Sequence, residues 1–297
     1  MSTAAVNEME FEAAEAPPLH RRIAGFVRRN PNLSLGLLMV SVIIFVAIFA
    51  PWIAAKDPAE LNVVTGRLKP PSAEYWFGSD RFGRDVFARA IFGGRISLTV
   101  GITVALLAVF IGLMVGLLSG YVRQIDAWLM RIMDGLMAIP GLLLAIGFIA
   151  LLPAGIETVI IALTIPEIPR VARLVRGVVV VTREITYVEA AVAAGAGTAR
   201  VIFKHIMPNT FAPLIVQATF VCASAMLSEA ALSFLGAGTP PEIPSWGTMM
   251  ADGRSYLSSA TWIILFPGLF LAATVLSVNL IGDGLRDLLD PRFAKEV

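Results

Sequence analysis

Residues 96–120 run without a single charged side chain. A helix of about 20 apolar residues crosses a ~30 Å hydrocarbon core, where only a helix or a closed barrel satisfies its own backbone. Residues 33–55 and 257–282 have the same character, residues 135–152 are uncharged but short, and residues 210–235 contain one acid, Glu229. A sixth stretch, residues 154–175, is interrupted by Glu157, Pro166, Glu167, Pro169, Arg170 and Arg173. It counts as the fourth span because without it the loops on either side would fall on opposite faces. The expectation is an all-α integral membrane protein of six transmembrane helices, and composition agrees. Of 297 residues 57% are hydrophobic and 15% charged, with mean hydropathy +0.79, too oily for a soluble domain of this size.

Six spans place both termini on one face, together with the loops near Arg123 and across 170–209. That face holds 15 Lys and Arg against 8 on the other. The basic excess marks it as cytoplasmic. The expected division is a cytoplasmic leader over 1–32, the first span over 33–55, an external loop over 56–95, a five-helix core over 96–282 that includes a cytoplasmic loop over 176–209, and a cytoplasmic tail over 283–297. The first 16 residues carry Glu8, Glu10, Glu12 and Glu15 and no base, so no cleaved secretory signal is expected. A net charge of +1 leaves no basic field for nucleic acid, and the single Cys222 cannot form an internal disulfide. In the external loop Arg81, Asp85 and Arg89 recur every fourth residue, opposite Phe82, Val86, Ala90 and Ile91. That spacing predicts an amphipathic helix on the membrane surface. Gly112, Gly116 and Gly120 form a stripe of small residues that lets another helix approach closely.

Between two oily spans, residues 187–209 are too polar to cross a bilayer. Residues 191–194 favour helix, Gly195 and Gly197 permit a sharp turn, Thr198 caps a second short helix, and Pro208 is expected to end it. The predicted element is a helix-turn-helix outside the membrane.

Glu189-Ala190-Ala191, then Gly195, then Pro208, resembles the EAA loop of permease subunits of ABC importers. Phe77-Gly78-Ser79-Asp80-Arg81, Ala231-Leu232-Ser233-Phe234-Leu235-Gly236 before Pro244-Ser245-Trp246-Gly247, and Asn279-Leu280-Ile281-Gly282-Asp283 before Asp290-Pro291-Arg292 are similar to the dipeptide, oligopeptide and nickel permease subfamily, in its C-type subunit. The resemblance covers nearly all of 33–292. It implies the type I importer permease class, in a bacterial cytoplasmic membrane. The chain would pair with a homologous second permease, take cargo, in all expectation a peptide, from an extracytoplasmic substrate-binding protein, and dock on two ATPase domains that use ATP and Mg. It implies that Tyr187, Glu189, Ala190, Ala191, Gly195, Lys204, His205 and Pro208 belong to the ATPase-coupling loop. One departure stands out. Pro166-Glu167-Ile168-Pro169-Arg170 replaces the mostly apolar segment that the resemblance leads one to expect, which bears on cargo.

No cofactor, metal site or catalytic residue is expected in this chain. It has no His-Glu-x-x-His pair, no Gly-x-Ser-x-Gly elbow and no Gly-x-x-x-x-Gly-Lys-[Ser/Thr] loop, and its two histidines are His20 and His205. The rival reading is an ion-coupled secondary transporter or channel working without an ATPase, since buried acids relay protons. Glu167 and Glu229 are the pathway candidates. Each also has a plainer reading: Glu167 pairs with Arg170 or Arg173 one turn away, and Glu229 is a satisfied contact between helices. Pro166 and Pro169 are expected to break the helix locally around Glu167. His205 reads as a helix-end residue, and Asp283, Arg286 and Asp287 as a solvated tail.

Overall fold

The close approach of two long helices organises the chain. In a computed structural model describing residues 25–289, α1 (Pro31–Ile48) is followed by the short α2 (Ala50–Ile53), then α3 (Val86–Tyr121) and α4 (Arg123–Met137). Next come α5 (Gly141–Leu151), α6 (Ile156–Thr182) and α7 (Thr186–Ala193). A continuous helical segment α8 (Thr198–Phe234), the short α9 (Trp246–Gly253) and α10 (Trp262–Leu289) complete the fold. Among the described residues there is no strand, only an isolated bridge between Ser79 and Asp85. The leader up to residue 24, the tail from residue 290, and with them His20, Asp290 and Arg292, lie outside the described residues.

Gly112, Gly116 and Gly120 face Val171, Val175 and Val179 across the α3–α6 seam. A Cβ built on each glycine would lie 2.5, 2.5 and 2.6 Å from the facing valine Cβ. The small-residue stripe is therefore a packing seam, and dispersion between tightly apposed backbones takes over the role that water-driven burial plays in soluble cores. The same device recurs where α1 meets α10. Gly36 sits against the Ser277 carbonyl, and Gly284 against Leu33.

Several expectations require correction. The predicted surface helix through Arg81, Asp85 and Arg89 does not form. Residues 79–85 are non-helical, Asp85 caps α3 by accepting from the N–H groups of Phe87 and Ala88, and α3 then runs unbroken into the second span. The four-residue spacing there joins three different contacts, an Arg81–Asp252 ion pair, the Asp85 helix cap and a buried Arg89, and not one wet helix face. Asp80 accepts from Arg84 at 2.5 Å, and Arg84 and Arg81 reach Asp252 in α9 at 3.0 and 3.1 Å, with Arg89 fully buried beside them. Burial pushes the Asp85 carboxyl up from its ordinary value, against the lowering effect of the Ala88 and Phe87 N–H groups.

The stretch read as a straight span over 135–152 is two helices, α4 and α5, meeting at 89°. Pro140 sets the break, because α5 begins directly after it. Conversely α6 is one helix despite Pro166 and Pro169. Each proline removes one donor, and packing of α6 on α3 outweighs the loss. Pro208 likewise does not end its helix. Residues Val201–Ile206 form a π turn and Met207–Thr210 a tight 3₁₀ turn, through which the chain continues into Phe211–Phe234. Thr198 is the first helical residue and Gly197 the cap, with no side-chain capping bond. The last span starts at Trp262, and α10 carries Asp283, Arg286 and Asp287 on its final turns, where all three are exposed.

Among the described residues four helices, α1, α3, α8 and α10, are long and apolar enough to cross a membrane, or five spans if the bent α4–α5 pair counts as one. With 27 residues α6 is about 40 Å long at ~1.5 Å per residue, enough to cross, although its charges set it apart.

Candidate coupling loop and pathway cavity

Helix α7 ends in a left-handed turn because Gly195 takes φ +84°. The Ala196 N–H reaches the Ala191 carbonyl at 3.0 Å and the Gly195 N–H the Val192 carbonyl at 2.9 Å, the paired bonds that close a helix C-terminus on a glycine. Nothing lies within 4 Å of a Cβ placed on Gly195, so the requirement there is backbone conformation alone.

The arms of the loop are clasped at their base. Tyr187 Oη donates to the His205 carbonyl at 3.0 Å, and Asn209 Nδ2 donates to Tyr187 Oη at 3.0 Å and to the same carbonyl at 2.7 Å. Those bonds give the His205 carbonyl two side-chain donors where the π turn passes into the 3₁₀ turn. Val188 is buried, as are Val201, Ile202 and Ile206 of α8, and they belong to the same apolar core as Leu117, Val175 and Val179 of the α3–α6 seam. Outward stand Glu189, Ala190, Lys204 and Pro208, with Tyr187, Val192 and Phe203 among the exposed apolar side chains. Ala191 and His205 are half-buried.

The loop is also joined to the bundle. Arg183 Nη1 donates to the Gly120 carbonyl at 2.7 Å, at the C-terminal end of α3, where a cation is favoured by the helix dipole. A cleft of about 680 Å³ opens beside this joint, lined by Tyr121, Arg123, Arg183, Glu184 and Glu189. Sequence reasoning passed over Arg183 and Asn209. Neither carries a spacing signal, since each acts through a carbonyl that only the fold brings near.

Glu167 is 8% exposed and borders a separate cavity of about 400 Å³ between the α4–α5 break, α6 and α8. Both its oxygens lie 3.3 Å from Arg170 Nη1, and Oε1 accepts from Ser224 Oγ at 3.0 Å. Arg173 turns away to Asp134 of α4, and Arg176 makes two 2.6 Å bonds to Asp126. Glu229 lies elsewhere, fully buried among hydroxyls. Its Oε1 accepts from Ser233, Thr239 and Ser245 at 2.8, 3.2 and 2.9 Å, while Oε2 has no partner. The structure thus brings together the residues of the 187–209 loop and places Glu167 and Glu229 in separate surroundings. Among the described residues no cluster of His, Cys, Asp and Glu could hold a metal.

Comparison with known proteins fits this geometry. The family model described as binding-protein-dependent transport system inner membrane component matches residues 108–295, and that of the N-terminal TM domain of oligopeptide transport permease C matches residues 27–71. A probable peptide ABC transporter permease protein of Sinorhizobium fredii is 52% identical over 270 residues, covering 91% of this chain and 92% of that protein. The oligopeptide transport system permease protein OppC of Bacillus subtilis is 42% identical, covering 90% of this chain and 88% of that one. A solved chain of the inward-facing MetNI methionine ABC transporter aligns at TM-score 0.56 and 21% identity, covering 67% of this chain and 94% of that one, a likeness of fold. The chain therefore belongs to the binding-protein-dependent transport system inner membrane components, as a permease subunit of an ABC transporter and not as an enzyme.

Proposed function

We propose that this chain is half of a peptide-import pathway in a bacterial cytoplasmic membrane. On this reading it has six spans and cytoplasmic termini, and residues 187–209 dock on an ATPase subunit. The observation that carries the reading is the loop: an exposed helix-turn-helix with Gly195 at its corner, clasped by Tyr187 and Asn209 and tied through Arg183 to the end of α3. A rigid element so tied transmits a push at its tip to the α3–α6 seam. Glu189 offers a charge for a basic or amide partner, and the apolar exposure of Tyr187, Val192 and Phe203 fits a protein interface. Ala190, Ala191, Lys204, His205 and Pro208 complete the docking surface.

The remaining parts follow from family membership. A homologous second permease supplies the other half of the pathway, two ATPase domains bind ATP and Mg, and an extracytoplasmic protein delivers cargo. Peptide relatives at 42–52% identity favour peptides as that cargo. A carrier acting without an ATPase finds no support among these relatives. Glu167 lines the pathway, whereas Glu229 is a structural tie between α8 and the loop that leads to α9.

The test is Gly195→Pro in the assembled complex. Proline cannot take φ +84° and deletes the N–H that reaches Val192. Peptide-stimulated ATP hydrolysis is expected to disappear while the chain still inserts and assembles. Undiminished stimulation would overturn the coupling assignment.

A further inference from the structure

Glu167 and Arg170 present opposite charges to one cavity, and neither is used by the α4–α6 ion pairs that Arg173 and Arg176 make. Such a pair, buried on the Glu side and 57% exposed on the Arg side, is costly to keep unless something beyond the pair makes use of it. The cavity wall is mostly apolar, with its polar groups gathered on α6 and α8. Ser224 and Ser228 stand one turn apart on α8, and the N-terminal turn of α5 opens on the same space with no side-chain cap. At about 400 Å³ the cavity lies in the range of small-ligand sites.

In the empty cavity the two charges are in contact, with Arg170 Nη1 3.3 Å from both Glu167 oxygens. The side chains are rooted about 5–6 Å apart at Cβ, as residues three apart on a helix are, so a ligand that engages both must swing them apart. The charged ends of an extended dipeptide are at most about 7 Å apart, since each residue adds ~3.3–3.6 Å. We propose that this cavity is a cargo site that receives a short peptide by both charged ends, its ammonium at Glu167 and its carboxylate at Arg170. The proposal rests on the peptide-permease reading and deepens it. Bound cargo exchanges the internal Glu167–Arg170 contact for two contacts of its own, so the site is charge-neutral both empty and full. Ser224, which now donates to Glu167, and Ser228 are placed to meet the peptide bond. A longer peptide holds its ends too far apart to engage both groups at once.

The experiment uses the complex purified with its partner permease and ATPases in nanodiscs, without the binding protein, so that any affinity measured belongs to the membrane subunits. Thermal unfolding is followed while dialanine, N-acetyl-dialanine, dialanine amide or tetraalanine is added. Dialanine is expected to raise the midpoint in a saturable way, and loss of either terminal charge to weaken binding about tenfold or more, as loss of a charge-assisted hydrogen bond does. Tetraalanine is expected to bind more weakly than dialanine. Glu167→Gln should abolish the preference for a free amino end, and Arg170→Gln the preference for a free carboxylate. No shift with dialanine, equal shifts with the blocked peptides, or variants that keep both preferences would each overturn the proposal. If a variant fails to assemble, the blocked peptides on the unaltered complex decide alone. The coupling reading is judged separately, by peptide-stimulated ATP hydrolysis with the binding protein present, and stands or falls on Gly195.

Discussion

Glu229 shows how one buried acid can be structural. Three hydroxyls, from Ser233, Thr239 and Ser245, spend their protons on a single carboxylate oxygen. Removing that oxygen takes the common acceptor from three buried hydroxyls, which keep only one another and Thr248 as partners, and each group that fails to re-pair costs about 1–3 kcal/mol. Glu229→Ala is accordingly expected to lower the melting temperature of the assembled complex sharply. Glu229→Gln keeps an acceptor and should cost less. A transport role without a structural one would give the opposite pattern, normal melting with lost uptake in both variants. At this scale the sequence was legible where chemistry depends on residue type. The left-handed corner at Gly195 and the pairing of Glu167 with Arg170 follow from neighbours in the chain. Arg183, Asn209 and Asp252 were not legible, because each finds its partner through the fold.

At the scale of elements, the glycine seam gives the plainest prediction. Gly116→Leu places a side chain where a single Cβ would already lie 2.5 Å from that of Val175. The helices must then separate, at a cost of about 1–3 kcal/mol or more for overpacking. Reduced yield of folded chain and a lower melting temperature are expected, while Gly177→Leu on α6, with nothing within 4 Å, should behave like the unaltered protein. Equal tolerance at both positions would contradict the seam. The period of the glycines made this contact readable in advance. Prolines were less informative: Pro140 sets a break of 89°, yet Pro166 and Pro169 lie within one helix and Pro208 within another. Whether a proline breaks a helix depends on what packs around it, and that is a tertiary fact. The charged spacing from Arg81 to Arg89 misled for the same reason, since a period of four says nothing about which side is buried.

For the whole molecule, the apolar runs and the match to ABC transporter permeases together describe a membrane subunit whose ATP hydrolysis lies in separate subunits. The polar loop over 187–209 does not stand apart from the spans. It runs on through the π turn within α8 and is bound through Arg183 to α3, so, on the proposed docking, a displacement of the loop has one covalent and one hydrogen-bonded route into the bundle. Uptake of radiolabelled dipeptide into proteoliposomes tests this account most directly, comparing the complete complex with this chain alone, each with and without ATP at the ATPase face. The account predicts ATP-dependent accumulation by the complete complex and none by the chain alone, even under a proton gradient. Accumulation by the chain alone, or by the complete complex without ATP, would contradict it.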